Sequence, residues 1–309
     1  MIERTERLTM TSEPSGARIA VLVHGGWHCA HHWSTTTRHL AAHGVPAVAV
    51  DLPGHGSGAP QPSGYLVPGQ PGLTTERSPL ADLTMQDAAD AVVTALAAVR
   101  PHYREVVLVA HSAGGGPASL AAEQHPELVD QLVYLSSFVP ARPRFFDYIE
   151  SDANTGAVTI PPLGNPADIG AVRINPFSPD AGHIATIRQS FLNDLPADSS
   201  DSWRRFLHPD LPLAFLAEPV HLTTQRWGRI RRTYIRLTED QALPLTAQDL
   251  MIAEADALTP GNHFDVRSMP GGHSPFTIRP RELADMLASI AACDPHGAQL
   301  SPAADVARE

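Results

Sequence analysis

The stretch Ala110-His111-Ser112-Ala113-Gly114-Gly115 directly follows the apolar run Val106–Val109 and directly precedes a run compatible with a helix. Small-x-Ser-x-Gly between a strand and a helix is the setting in which a sharp turn lifts a serine above the edge of a parallel sheet. Such a turn strains the serine backbone, so the residues two before and two after it must be small. Ala110 and Gly114 meet that demand. Ser112 is therefore a candidate nucleophile.

The surrounding chain has the alternation this setting requires. Arg18–His24 is a β-branched run ending in a glycine pair, as a buried parallel strand would end. Val45–Asp51 reads as a second strand, with a helical stretch Trp33–His43 between the two. Asp51–Gly56 closes it, and a loop rich in Pro and Gly runs to about Pro79, long enough that a merely connecting role is unexpected. Ala81–Val99 has helical spacing, Glu105–His111 is the strand of the serine turn, Gly115–Gln124 the helix behind it, and Gln131–Phe138 strand four. Residues 140–228 then break the pattern with Pro, Asp and Ser, and with short amphipathic pieces at Ile184–Leu195 and Ser200–Leu207. Alternation resumes with Arg231–Leu237, a helix over Leu245–Ala257, a strand over His263–Met269 and a last helix over Pro280–Ala292. The expected fold is α/β, a six-stranded, mostly parallel, doubly wound sheet built from residues 17–139 and 229–294. A helical cap, residues 140–228, is expected after strand four, over the carboxyl edge of the sheet. Residues 1–16 and 295–309 are expected to be loose termini.

Composition narrows the chemistry. The 309 residues carry a net charge of −11, which argues against nucleic acid or an anionic membrane surface as partner and leaves a small-molecule substrate. No stretch approaches the ~18–20 apolar residues of a membrane span, and MIERTERLTM does not read as a secretory signal. Two cysteines, Cys29 and Cys293, imply no disulfide framework, so a cytoplasmic location is expected, with a homodimer left open. All 22 basic residues are arginine. The absence of lysine excludes Schiff-base chemistry, a lysine-anchored pyridoxal cofactor, a P-loop and a lysine base. No cofactor and no metal is expected: His28, His31 and His32 match no zinc spacing, and their rings are expected to line a pocket or open the helix containing Trp33.

A serine nucleophile needs a base, an acid to orient the base, and donors for the oxyanion. In a strand–turn–helix site of this kind the partners follow in the order Ser, acid, His. Met269-Pro270-Gly271-Gly272-His273-Ser274-Pro275 is the loop after the last strand, and His273 is the histidine in it. Strand four ends Leu135-Ser136-Ser137-Phe138 without a carboxylate, whereas strand five runs into Thr238-Glu239-Asp240. Asp240 is the preferred acid and Glu239 its competitor, since adjacent side chains at a strand end point different ways. The oxyanion donors are expected to be the N–H groups of Ala113, after the nucleophile, and Gly26, in the loop after the first strand, where glycine permits close approach. His24 is expected to be structural. Trp27, His28, Phe138 and Ser274 are candidate pocket residues, and Phe145, Phe146, Tyr148, Trp203 and Phe206 are divided between substrate contact and the cap's own core.

With these stretches in hand the chain resembles the α/β-hydrolases, and within them the methyl-ester esterase and hydroxynitrile lyase group with its bacterial relatives. The matching segments are VLVHGGWHCAHHW (21–33), VVLVAHSAGGGPASLAAEQHP (106–126), LVYLSSFVP (132–140), YIRLTEDQALP (234–244) and GGHSPF (271–276). The resemblance implies Ser112 as nucleophile, Asp240 as acid, His273 as base, and Gly26 and Ala113 as oxyanion donors. Hydroxynitrile lyases of the group carry threonine at the position of Gly25 and lysine at that of Ser274, so cyanohydrin cleavage is not expected here. Dehalogenases and epoxide hydrolases use an aspartate nucleophile, which Ser112 excludes. The loop 57–80 and the stretch between Asp240 and His273 are longer than in the plant esterases.

The expected activity is hydrolysis of a carboxylic ester or lactone of an apolar small molecule through an acyl-enzyme, by an esterase or lactonase. The alternative is a lyase, cyclase or dehydratase of a biosynthetic pathway using the same Ser-His-Asp site. Selectivity is expected to reside in the cap and the loop 57–80.

Overall fold

The computed structural model describes residues 16–292. Of the two termini expected to be loose, only Gly16 falls inside this range, and it opens the first strand. The first half runs β1 (Gly16–Val23), α1 (Ser34–Ala42), β2 (Ala47–Val50), α2 (Met85–Val99), β3 (Tyr103–Ser112), α3 (Gly115–Gln124) and β4 (Gln131–Ser137). An insertion follows, with α4 (Phe146–Ile149), α5 (Pro166–Ile169), β5 (Ala171–Arg173), α6 (Ala181–Leu192), β6 (Asp210–Pro212) and α7 (Ala214–Ala217). The chain then completes β7 (Arg231–Leu237), α8 (Leu245–Leu258), β8 (Asp265–Met269), α9 (Pro275–Ile278) and α10 (Pro280–Ala292).

Six strands form one sheet in the order β2-β1-β3-β4-β7-β8, and every neighbouring pair is parallel. Strand order reverses between β1 and β3, and the crevice outside their carboxyl ends is where open α/β sheets place ligands. The turn after β1 and Ser112 at the end of β3 both lie at that switch point.

Successive side chains of a strand point to opposite faces, and the core divides accordingly. Leu22, Val107, Val109 and Ile235 face Leu40 of α1 and Leu283, Leu287 and Ile290 of α10. Val21, Leu108, Ala110 and Leu132 face the other way, onto Val92 and Leu96 of α2, Ala118 and Ala121 of α3, and Met251 of α8. Because both faces are covered, these strands read as continuous apolar runs.

Of the boundaries that differ from the periodicity, two do so for identifiable reasons. Helix α2 begins at Met85 and not at Ala81, because Thr84 accepts from the backbone N–H of Asp87 while the Asp87 carboxylate accepts from the N–H of Thr84. This reciprocal cap fixes the first turn. Strand β8 begins at Asp265, since the N–H of Phe264 is taken by the Asp256 carboxylate, which keeps His263 and Phe264 in the preceding turn.

The insertion is not purely helical. Its β5 and β6 form a two-stranded antiparallel ribbon stitched by a buried ion pair, Arg173 to Asp210 at 2.6 and 2.8 Å. Arg173 also donates to the carbonyls of Leu73 and Glu76, and the N–H of Ser78 donates to the carbonyl of Ile169. The long loop 57–80 is thus strapped to the outside of the insertion.

Candidate active site

At Ser112 the backbone is left-handed, with φ of 52°. An L-residue held there costs on the order of 1–3 kcal/mol and persists only where its surroundings enforce it. The enforcement is steric: a Cβ on Gly114 would stand 2.3 Å from the carbonyl oxygen of His24, and one on Gly115 would stand 1.9 Å from that of Phe138. Ala110 is fully buried in its strand.

His273, in the loop after β8, brings Nε2 to 3.0 Å from Ser112 Oγ and Nδ1 to 2.6 Å from Asp240 Oδ2. A carboxylate can only accept, so Nδ1 carries the proton and Nε2 presents its lone pair to the serine hydroxyl. Asp240 is saturated: Oδ2 also accepts from Ser136 Oγ at 2.6 Å, and Oδ1 accepts from the N–H groups of Ala242 and Leu243, each at 2.8 Å. Glu239 is exposed and its carboxylate does not take part in this arrangement. The histidine ring is further held by Phe191, stacked at 5.9 Å, and its backbone carbonyl accepts from His111 Nε2 at 2.8 Å.

Neither the N–H of Gly26 nor that of Ala113 has a protein acceptor among the described residues. The direction of each is fixed through its own peptide, because N–H and C=O of a trans peptide point opposite ways. The carbonyl of Gly25 accepts from His24 Nδ1 at 2.8 Å and from the N–H of His28 at 3.3 Å. The carbonyl of Ser112 accepts from the N–H of Phe138 at 3.0 Å and from Ser137 Oγ at 2.8 Å. Each candidate donor therefore belongs to a peptide whose carbonyl is tethered twice. His24 is structural here, its Nε2 accepting from the N–H of Leu52.

The four candidate pocket residues part ways. Trp27, itself left-handed at φ 60°, lines an apolar cavity of about 280 Å³ together with Phe145, Phe146, Val172, Leu216, Ala242 and Leu243. This cavity lies between the turn after β1 and the loop of Asp240, and among the described residues no charged side chain lines it. His28 is buried behind the turn, donating from Nδ1 to the carbonyl of Gly26 at 2.7 Å while Nε2 accepts from Ser274 Oγ at 3.3 Å. Phe138 is buried against Phe145 and Tyr148, and neither it nor Ser274 belongs to the cavity wall. Nor does any residue of the loop 57–80, which packs behind the wall, bonded to Arg173 beside Val172 and to Ile169. Of the aromatic residues in the insertion, Phe145 and Phe146 face this cavity, whereas Trp203 packs with Ile184 and Phe191 in a small core.

Sequence reasoning missed Ser136. The β3–β4 register shifts between His111 and Ser112 so that Ser112 pairs with Ser137, and Ser136 bulges out at φ 37° toward Asp240. The only signal was a serine pair at a strand end searched for a carboxylate. Also missed was the end of α6. Asn193 Nδ2 donates to the carbonyl of Glu239 at 2.9 Å, and Asp194 pairs with Arg279 at 3.3 Å. A Cβ on Gly272 would stand 2.0 Å from Asn193 Oδ1, and one on Gly271 2.9 Å from Asp194 Oδ2. The glycines before His273 leave the room into which the insertion docks.

Comparison with known proteins agrees with this fold. The model of the alpha/beta hydrolase family matches residues 20–286. The pyrethroid hydrolase of Sphingobium wenxiniae is 26% identical over 275 residues, 88% of this chain and 86% of that protein. Methylesterase 1 of Arabidopsis thaliana is 25% identical over 293 residues, 91% of this chain and 98% of that one. The alignment with the putative chloroplastic methylesterase 15 of the same plant, at 27% identity, spans only 57% of that longer protein. Among solved structures, polyneuridine aldehyde esterase superposes with a TM-score of 0.66 at 24% identity, covering 89% of this chain and 99% of its own. No helix among the described residues is long and apolar enough to cross a membrane. The sheet order, the strained serine and the extent of the family match lead to one assignment: the chain belongs to the alpha/beta hydrolase family.

Proposed function

We propose that the chain hydrolyses a carboxylic ester or lactone of an apolar small molecule through an acyl-enzyme. The observation that carries this reading is the continuous line from Ser112 Oγ through His273 to Asp240, at 3.0 and 2.6 Å. Ser112 Oγ attacks the carbonyl carbon while His273 Nε2 takes its proton, and the resulting imidazolium is stabilised by Asp240. Negative charge gathers on the former carbonyl oxygen, where the N–H groups of Gly26 and Ala113 receive it. Their carbonyls are already held, so little reorganisation is needed as the charge develops. Collapse expels the alkoxide, which leaves with the proton from His273. Water, deprotonated by the same ring, then attacks the acyl carbon and releases the acid and the free serine.

The cavity beside Trp27 supports an uncharged, apolar acyl or alkyl portion, since burying an unpaired charge against such a wall is costly. Ser112→Ala is expected to lower turnover of a p-nitrophenyl ester at least about 10³-fold with the fold intact, and a fluorophosphonate is expected to label Ser112 in the parent. Retention of more than about a tenth of the turnover by the variant would remove Ser112 from this role. Labelling without turnover of any ester would favour the lyase, cyclase or dehydratase use of the same site.

A further inference from the structure

A second cavity, of about 530 Å³, lies between α1 with the turn before it, residues 191–207 of the insertion, and the turn after His273. It shares no lining residue with the cavity beside Trp27. The rings of Trp27 and Phe191, 5.8 Å apart, stand between the two. One wall is apolar, with Phe191, Trp203, Leu207 and Phe276 buried side by side in it, while Ser199, Ser200, Ser202 and Thr277 add hydroxyl groups to the lining. His28 and His32 also face it, and burial holds both rings neutral at pH 7, with His32 pushed down to about 4.

The rim is different. Arg38 and Arg205 are exposed there, and among the described residues no aspartate or glutamate lines the cavity, although the chain holds 33 acidic residues against 22 arginines. Among the described residues neither arginine has a carboxylate partner; Arg38 donates only to Thr35. The neighbouring Arg204, by contrast, is paired with Asp201 at 2.6 Å. A chamber with one apolar wall and, among the described residues, two guanidinium groups without a carboxylate partner at its mouth is complementary to a molecule with an apolar body and one anionic head. Guanidinium groups bind carboxylates through charge-assisted, often paired, hydrogen bonds.

We propose that this cavity is a second ligand site, for an amphipathic monocarboxylate whose apolar part enters between Phe191, Trp203 and Phe276 and whose carboxylate meets Arg38 and Arg205. The site stands on its own lining and does not depend on the hydrolase reading. Its occupant would abut His28, the ring that holds the carbonyl of Gly26, and so would sit against the back of the reaction centre.

The test uses octanoate, titrated by calorimetry and by tryptophan fluorescence into the full chain, both untreated and with Ser112 blocked by a bulky fluorophosphonate. Saturable binding is expected in both forms. Arg38→Gln/Arg205→Gln, two exposed substitutions that leave the core untouched, is expected to weaken it at least about tenfold. Octanol, which lacks the charge, is expected to bind at least about tenfold more weakly than octanoate. Trp203→Phe should reduce the fluorescence response, since Trp27 and Trp33 also pack against Phe191 and Phe276 of the wall, while the calorimetric signal persists. Absence of saturable binding, loss of binding on blocking Ser112, octanol binding as well as octanoate, or an unaffected double variant would each overturn the proposal. Failure of the phosphonate to label would count against the hydrolase reading alone, because binding to the untreated chain and its arginine variant would still be measured.

Discussion

Asp240 and Glu239 are neighbours in the chain with opposite surroundings. Asp240 accepts four hydrogen bonds in a buried setting, one of them from His273, while Glu239 is exposed. Asp240→Asn is therefore expected to reduce ester turnover by about 10³- to 10⁴-fold, because an amide cannot hold the imidazole in the required tautomer. Glu239→Gln should stay within about twofold, so a larger loss at Glu239 would reverse the assignment. Ser136→Ala removes one hydrogen bond to a buried carboxylate, worth about 1.5–3 kcal/mol, and is expected to cost about ten- to a hundredfold in kcat/KM. Ser112 and His273 were legible because their signals are local: small residues around a serine, and a glycine pair before a histidine. Ser136 was not. Its hydroxyl reaches Asp240 only because β4 shifts register beside β3, and a shift between two strands leaves no mark on either one alone.

The same contrast holds for elements. Helices α3 and α10 and strand β7 have the bounds their periodicity predicts, since each has a face packed against the sheet or lies buried within it. The insertion was legible only as an interruption. Its ribbon depends on an arginine and an aspartate far apart in sequence, and three-residue strands carry too few positions to show a period. The end of α6 has a consequence for catalysis that its own sequence does not announce. Asn193 occupies the space beside Gly272, so Gly272→Ala is expected to displace the loop of His273. Phosphonate labelling of Ser112 should slow by about tenfold or more, since misplacing a catalytic group by about 1 Å can cost about a hundredfold. Adding Asn193→Ala should recover part of that rate. If the double variant is slower than Gly272→Ala alone, contact with Asn193 is not what the glycine avoids.

At the scale of the whole molecule, buried imidazoles make the fold sensitive to mild acid. Burial, reinforced by neighbouring His208, pushes His55 down to about 3; burial likewise pushes His32 to about 4, and His24, His28 and His111 also lie well below the ordinary 6.5. Between about 6.5 and those values the unfolded chain takes up protons that the folded chain refuses. Stability is thus complete above about 6.5 and declines as pH falls, by up to about 1.4 kcal/mol per pH unit for each ring. Urea unfolding compared at pH 7.5 and pH 5 measures this directly, before most carboxylates titrate; equal or greater stability at pH 5 would refute it. The sheet order has a different consequence, for the time course of folding. Gln131 of β4 pairs with Arg231 of β7, so the whole insertion must be bridged before that seam closes. The added loop entropy is modest, about 0.6 kcal/mol per doubling of length, but pairings so distant in sequence form slowly. Ser112 and Ser136 belong to one side of the seam, Asp240 and His273 to the other. A refolding chain should therefore recover helical signal first and a phosphonate-reactive serine last, making the appearance of that reactivity a clock for the closing of the sheet.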